Sequence, residues 1–374
     1  MRALAINCGS SSLKYAMFDV AGTVEGEIAR GSVERIGQTV PDHGSAVHSL
    51  LDDLEKSGRR PDVVGHRIVH GGVRHSAPTI VDDALLVELE GLVPFAPLHL
   101  PAELLAIRAV TERWRSLRQV ACFDTAFHRT LSEVAQRYAV PEAIHAAGVR
   151  RYGFHGLSYE FVVATLGAEL GRAVVAHLGS GASMAAVRDG QSVDTTMGFT
   201  PSGGLVMATR LGDVDPGLLI YLARHGYDPH ALAELVDERA GLLGLSGTTA
   251  DVRDLLSRRD VDPRARLALD VFAWSARKWV GAMAAALGGI DTLVFTGGIG
   301  QHAAPVRADI ARGLEHLGVR VDDARNGRGD AVISPDASPC VVRVVATDEE
   351  RMVARHAARL ASESGVPPDV GVPR

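Results

Sequence analysis

A strand, small-residue turn, strand, turn, strand pattern occurs twice in this chain, at residues 4–33 and again at residues 173–196. In the first copy Leu4-Ala5-Ile6 reads as an apolar strand and Gly9-Ser10-Ser11-Ser12 as a turn. Leu13 to Phe18 then alternates like a second strand. In the second copy Ala173 to Leu178 leads into Gly179-Ser180-Gly181-Ala182-Ser183 and a strand from Met184 to Val187. Asp189-Gly190 there signals a type I′ hairpin into Ser192-Val193-Asp194. Such repetition predicts two copies of one sheet-plus-helices domain facing each other across a cleft. Each copy would supply one turn whose backbone N–H groups point at an anion. Lys14, one of three lysines in the chain, lies just past the first turn and is long enough to lean over it. Neither a G-x-x-x-x-G-K loop nor a dinucleotide fingerprint is present, and an ordinary Ser/Gly hairpin with a solvated lysine fits the first stretch equally well.

At 374 residues there is room for both copies. A net charge of -6 without a Lys/Arg-rich run argues against nucleic acid as a partner. The N-terminus enters a strand directly, and no segment stays apolar for 18 residues. A cytoplasmic protein without membrane contact is therefore expected. Cys8, Cys122 and Cys340 stand at no metal spacing and read as small buried hydrophobes in a reducing compartment.

Along the chain, helices are expected at about 44–57, 104–117, 132–140 and 264–287, residues 217–245 are expected to be mostly helical, and a fraying tail is expected from Ser362 onward. Arg67 sits in an apolar strand that runs into Gly71-Gly72, and a buried guanidinium needs an anion, either an acid of the chain or a ligand. Asp124 ends the apolar strand 120–123, where α/β sheets collect ligands, although a helix N-cap would explain it too. The loop Arg150 to Gly156 packs two cations, two aromatics and His155 into seven residues. Arg210 lies in a Gly/Pro-rich loop and says little alone. Strand 292–296 stops at Gly297-Gly298-Ile299-Gly300, read as a loop that lets backbone approach a ligand, with a helix opening at about Pro305.

Taken in order, the motifs resemble those of the acetate kinase family, which includes propionate and butyrate kinases and belongs to the sugar kinase, heat-shock ATPase and actin superfamily. The resemblance spans residues 4 to about 357. It rests on N-x-G-S-S-S-L-K at 7–14, G-H-R-I-V-H-G-G at 65–72, A-P-L-H-L-P at 96–101 and F-D-T-A-F-H at 123–128. R-R-Y-G-F-H-G at 150–156, H-L-G-S-G-A-S at 177–183, G-F-T-P at 198–201, T-R-L-G-D-V-D-P at 209–216, F-T-G-G-I-G at 295–300 and T-D-E-E at 347–350 complete it. It implies two duplicated ribonuclease H-like domains with mixed five-stranded sheets flanked by helices and a nucleotide cleft between them. The first would be residues 1–128 with a returning helix in 351–374, and the second, nucleotide-binding one 129–350.

The resemblance further implies transfer of the γ-phosphoryl group of ATP to acetate or another short-chain carboxylate, giving an acyl phosphate. Such a reaction asks for positioning and charge neutralisation rather than covalent chemistry. Arg67 and Arg210 would then grip the carboxylate and the phosphoryl oxygens, making the substrate the anion that Arg67 awaits. His155 would stabilise the phosphoryl group in flight, and Asp124 would orient the attacking carboxylate or the metal's waters. Val69, Leu98, Phe154 and Pro201 would enclose the acyl methyl group. Ser10, Ser12, Lys14, His177, Leu178, Gly179, Ser180, Gly181, Asp251, Val252, Arg253, Gly298, Ile299, Gly300, Gln301 and His302 would hold the nucleotide. Asn7 and Glu349 resemble ligands of Mg²⁺, with Mn²⁺ as an alternative. A homodimer is implied as well. Ser180, Val252, Gln301-His302 and Gly203 depart from the usual H-L-G-N-G, D-F-R, G-I-G-E-N and F-T-P-x-E-G-L patterns, leaving base preference open. Propionate or butyrate kinase, or a non-catalytic actin-like nucleotide-binding protein, are the alternatives.

Overall fold

The computed structural model describes residues 1–363 except Ser10 and Thr23. The expected phosphate contact of Ser10 and most of the expected fraying tail therefore lie outside the described residues. The chain divides into two compact units, Met1–Phe127 with Asp348–Arg374, and His128–Thr347.

Among the described residues, the first unit is built on the strands β1 (Arg2–Cys8), β2 (Ser12–Ala21), β3 (Val24–Glu34), β4 (Val63–Ile68), β5 (Thr79–Ile80) and β6 (Arg118–Phe123), ordered β3-β2-β1-β4-β6-β5. β1 to β3 form an antiparallel meander, β4 runs parallel to β1, and β6 parallel to β4. β5 is a two-residue antiparallel edge added to the five expected strands. One sheet face buries Leu4, Ile6 and Val64 against helices His43–Lys56 and Leu100–Arg113. Helix Glu349–Glu363 covers the central strands. A Cβ at Gly65 would come within 2.5 Å of Val353 Cγ1, so a side chain at position 65 would push this helix off the sheet.

In the second unit β7 (Ala173–Leu178), β8 (Ala182–Arg188) and β9 (Gln191–Thr195) repeat the meander, and β10 (Thr292–Thr296) and β11 (Val341–Val344) extend it in parallel, giving β11-β10-β7-β8-β9. The strand order is that of the first sheet without its edge, so the repetition seen in the sequence is a repetition of topology. β7 is buried at every position, as a central strand covered on both faces must be. Asp189 and Gly190 both take positive φ (54° and 72°), which the type I′ hairpin requires. The long helix Pro263–Leu287 is capped at both ends. Asp262 accepts from the amides of Arg264 and Ala265, Pro263 opens the first turn, and Gly288 closes the helix at φ 69°.

Three expectations of local structure are corrected. The helix expected over 132–140 is one turn, Glu133–Gln136: Arg137 is already extended at ψ 137°, and Pro141 further keeps Val140 out of helical conformation. The helix expected to reach Leu117 ends at Arg113, where Trp114 leaves the helix and donates from Nε1 to Glu55. The glycine run after β10 is not a loop: Gly297 turns the chain at φ 74°, and a short helix, Gly297–His302, starts there at once.

Candidate functional site

The carboxyl ends of the parallel strands carry the chemistry in each unit, as the topology of such sheets favours. In the first unit Asn7 stands near the end of β1, Arg67 near the end of β4, and Asp124 directly after β6. Arg67 Nε donates to Asp124 Oδ1 at 3.1 Å and Nη2 to Asp124 Oδ2, a fork of two parallel bonds. Nη1 donates to Asn7 Oδ1 at 3.1 Å, and Glu349 Oε2 lies 3.6 Å from Nε. The anion beside Arg67 is thus an acid of the chain, which corrects the expectation that the substrate alone supplies it. Two of the five N–H groups of the guanidinium remain beyond these three bonds. Asp124 is 0% exposed. The Arg67 cation is held firmly protonated by Asp124 and Glu349.

Asn7 also donates to Glu350 Oε1 (3.1 Å) and Glu349 Oε2 (3.5 Å), and Lys14 is its cross-strand partner. Burial raises the Glu349 carboxyl above the usual range against the pull of Arg67, with Glu350 adding to the rise. Arg30 bridges Asp348 and Glu350, which fixes the entry of the last helix. Among the described residues no group of three or more His, Cys, Asp or Glu side chains is arranged as a metal cage. The hard oxygens of Asn7 and Glu349 do fit a magnesium ion that keeps most of its shell as water and phosphate oxygen.

Sequence reasoning missed Glu103. It lies in the first turn of helix Leu100–Arg113, is 1% exposed, and both its oxygens accept from the Val69 amide, at 3.2 and 3.1 Å. Burial lifts it to about 8, opposed by Arg67 and the Val69 N–H. An acid in a first turn is common on exposed helices, so only the fold reveals that this one is enclosed. The free carboxyl titrates near 4.5 and the folded one near 8, so the folded state holds an extra proton between these values. Stability therefore falls as pH rises through that window, and the penalty is complete above it. Glu103→Gln keeps an acceptor for Val69 and removes the charge. It is expected to melt higher than the parent at about pH 9 and alongside it below about pH 4.5. An equal offset at both pH values in a thermal melt would remove this account of Glu103.

In the second unit β7 ends at the turn Gly179-Ser180-Gly181. His177 on β7 and His155 stack with ring centroids 4.3 Å apart. A Cβ at Gly181 would sit 3.3 Å from His155 Nε2 and 3.4 Å from Arg210 Nη1, so these two side chains approach the same glycine. Arg210 Nη1 also donates to the Pro201 carbonyl at 3.3 Å. His128, from the F-D-T-A-F-H stretch, is enclosed between Ser192 Oγ and the Phe154 carbonyl, and burial lowers it to about 4. Phe154 is buried beside it; in the first unit Val69 is buried and Leu98 is 39% exposed.

A cavity of about 540 Å³ in this unit is lined by Gly179, Ser180, Asp251, Val252, Arg253, Gly298, Ile299 and His302, together with Ala208, Ala250, Leu256 and Ala303. Three of the positions that depart from the resembled pattern, Ser180, Val252 and His302, share this one space. Asp251 caps helix Val252–Arg258 and pairs with the exposed Arg253, which lowers it to about 2. His177, Leu178, Gly181, Gly300 and Gln301 do not line the cavity, and Ser12 and Lys14 belong to the other unit. The carbonyls of Gly300 and Gln301 instead accept from Arg307, a 1% exposed guanidinium whose other bonds go to Asn326. Arg307 thus holds the cavity's helix Gly297–His302 by its C-terminal carbonyls, a role no local pattern announces.

Fold and relatives agree on an enzyme, a phosphotransferase with a carboxyl group as acceptor. The acetate kinase of Micrococcus luteus is 45% identical over 95% of this chain and 98% of that protein. A propionate kinase of Citrobacter rodentium is 42% identical, covering 96% of each chain. The crystal structure of Porphyromonas gingivalis acetate kinase matches with a TM-score of 0.87 at 36% identity, over 96% of this chain and 99% of that one. The acetokinase family profile covers residues 2–355. The chain belongs to the acetokinase family.

Proposed function

We propose that the chain transfers the γ-phosphoryl group of ATP to acetate, giving acetyl phosphate and ADP. The observation that carries this is the Arg67–Asp124 fork beside Asn7, at strand ends of a chain akin throughout to acetate kinases. Acetate is ionised at neutral pH and already nucleophilic, so no strong base is needed. Arg67 binds and orients the carboxylate with its remaining N–H groups, and Asp124 holds that guanidinium in one plane. In the first unit Val69 and Leu98 set the room for the alkyl group. Arg210 neutralises charge on the transferred group, His155 donates a hydrogen bond to its oxygens, and His177 donates to the nucleotide phosphates. The 540 Å³ cavity takes the nucleoside. Asn7 and Glu349 would hold Mg²⁺, which supplies charge neutralisation on the phosphate oxygens when bound.

A propionate kinase activity is the second reading, favoured by the Citrobacter relative. One extra methylene changes binding by only about 1–3 kcal/mol, so the two activities differ in degree. A hydroxamate assay with acetate, ATP and Mg²⁺ should yield acyl phosphate, and kcat/KM across two- to four-carbon acids should be greatest for acetate. No product above an Arg210→Ala control would refute the proposal. A homodimer also belongs to this reading. Helix Pro216–Arg224 buries none of its residues although Leu218, Ile220 and Tyr221 are all exposed, and a second copy would cover them. Sedimentation of the same preparation as a monomer would exclude it.

A further inference from the structure

His155 is held by more than its place in the chain. It caps helix Gly156–Leu166 in the left-handed region (φ 59°), a conformation that a non-glycine residue adopts only when its surroundings hold it there. Its Nδ1 lies 2.8 Å from Ser183 Oγ on β8, and Ser183 Oγ in turn bonds the Tyr159 hydroxyl. Ser183 and Tyr159 are both 0% exposed. Ser158, the residue before Tyr159, holds Nδ1 of the stacked His177 in the same manner, at 2.8 Å. The first turn of one helix and one residue of β8 thus fix both imidazoles by the same ring nitrogen.

The direction of these bonds follows from acidity. A phenol is a far stronger donor than an alkyl hydroxyl, and an imidazole nitrogen a better acceptor than a phenol oxygen. Tyr159 therefore donates to Ser183, and the single hydrogen of Ser183 goes to Nδ1. Each bond polarises the next in the same sense. With Nδ1 an acceptor, the ring proton resides on Nε2, the nitrogen beside Gly181 and Arg210 Nη1.

We propose that Tyr159 and Ser183 form a hydroxyl relay that locks His155 as the neutral Nε2–H tautomer, making Ser183 a positioning residue for phosphoryl transfer. This rests on the kinase reading above. A neutral imidazole so held presents an N–H to the phosphate oxygens without first taking up a proton. Arg210 supplies the positive charge, and His155 supplies a donor fixed in direction.

Nitrogen-15 NMR of the intact enzyme labelled at histidine, with the His155 signals assigned from their loss in His155→Gln, reads the tautomer directly. The expected result is an unprotonated, hydrogen-bonded Nδ1 and a protonated Nε2. Ser183→Ala is expected to shift the Nδ1 resonance and broaden the ring signals by exchange. It should lower kcat by about 10-fold or more while both KM values stay within about two-fold. Tyr159→Phe, which keeps the Ser183 bond, should fall between. A proton on Nδ1 in the parent enzyme would overturn the proposal, and so would parental kcat in Ser183→Ala. Parental turnover in His155→Ala would overturn the reading of the site instead, a result the tautomer measurement keeps separate.

Discussion

Replacing Arg67 with alanine is expected to lower kcat/KM for acetate by about 10²-fold or more, the scale on which losing the group that positions a reactant costs rate. It is also expected to destabilise the chain. Asp124 is wholly buried and loses the guanidinium that forks onto it, and Asn7 and Glu349 lose the same neighbour. Removing one member of a buried ion pair costs about 3–5 kcal/mol. The two losses separate in the double variant. Arg67→Ala with Asp124→Asn should recover most of the stability in a urea titration and none of the activity. Recovery of both would mean that the arginine serves the fold alone.

Gly241→Ala should act from a distance and almost as strongly. Gly241 has φ 60°, and a Cβ there would fall inside contact distance of the Met207 carbonyl oxygen and 2.8 Å from that of Arg210. These oxygens are backbone and cannot swing aside. The segment is also stitched to helix Gly241–Ser246 by Ala240 N to Thr209 O, Leu242 N to Met207 O and Leu243 N to Ala208 O. A methyl group must therefore displace the loop that carries Arg210. The left-handed conformation alone costs about 1–3 kcal/mol for alanine, and a shift of about 1 Å in a positioning group costs on the order of 10²-fold in rate. A lower melting temperature with kcat down on that scale is the expected pair. A parental kcat in a protein that melts lower would show that the loop re-forms around the methyl group.

What the sequence disclosed and what it withheld follow physical lines. The two meanders were legible because apolar runs and small-residue turns recur in the same order, and that order alone implies a repeated sheet. The caps of the long helix were legible in Asp262, Pro263 and Gly288. The glycine run at 297–300 misled because glycine serves both a sharp turn and the opening of a helix, and here it does both. Asp124 was legible as an acid at a strand end. Its fork with Arg67 joins residues 57 positions apart, which only strand order brings together. Glu103 and Arg307 were illegible because enclosure, not residue type or spacing, gives them their character. Ser183 stood in a quoted motif, yet its link to Tyr159 and His155 exists only once β8 and helix Gly156–Leu166 meet.

The first unit takes its last helix from the far end of the chain. A ribosome therefore releases every strand of the first sheet long before the segment that roofs it, and the whole of the second unit can mature in between. Gly65 waits bare for Val353, and Arg67 waits for Glu349, until translation is nearly over. A product that stops before Asp348 thus lacks the helix that covers the first sheet and the Glu349 carboxyl that stands beside Arg67.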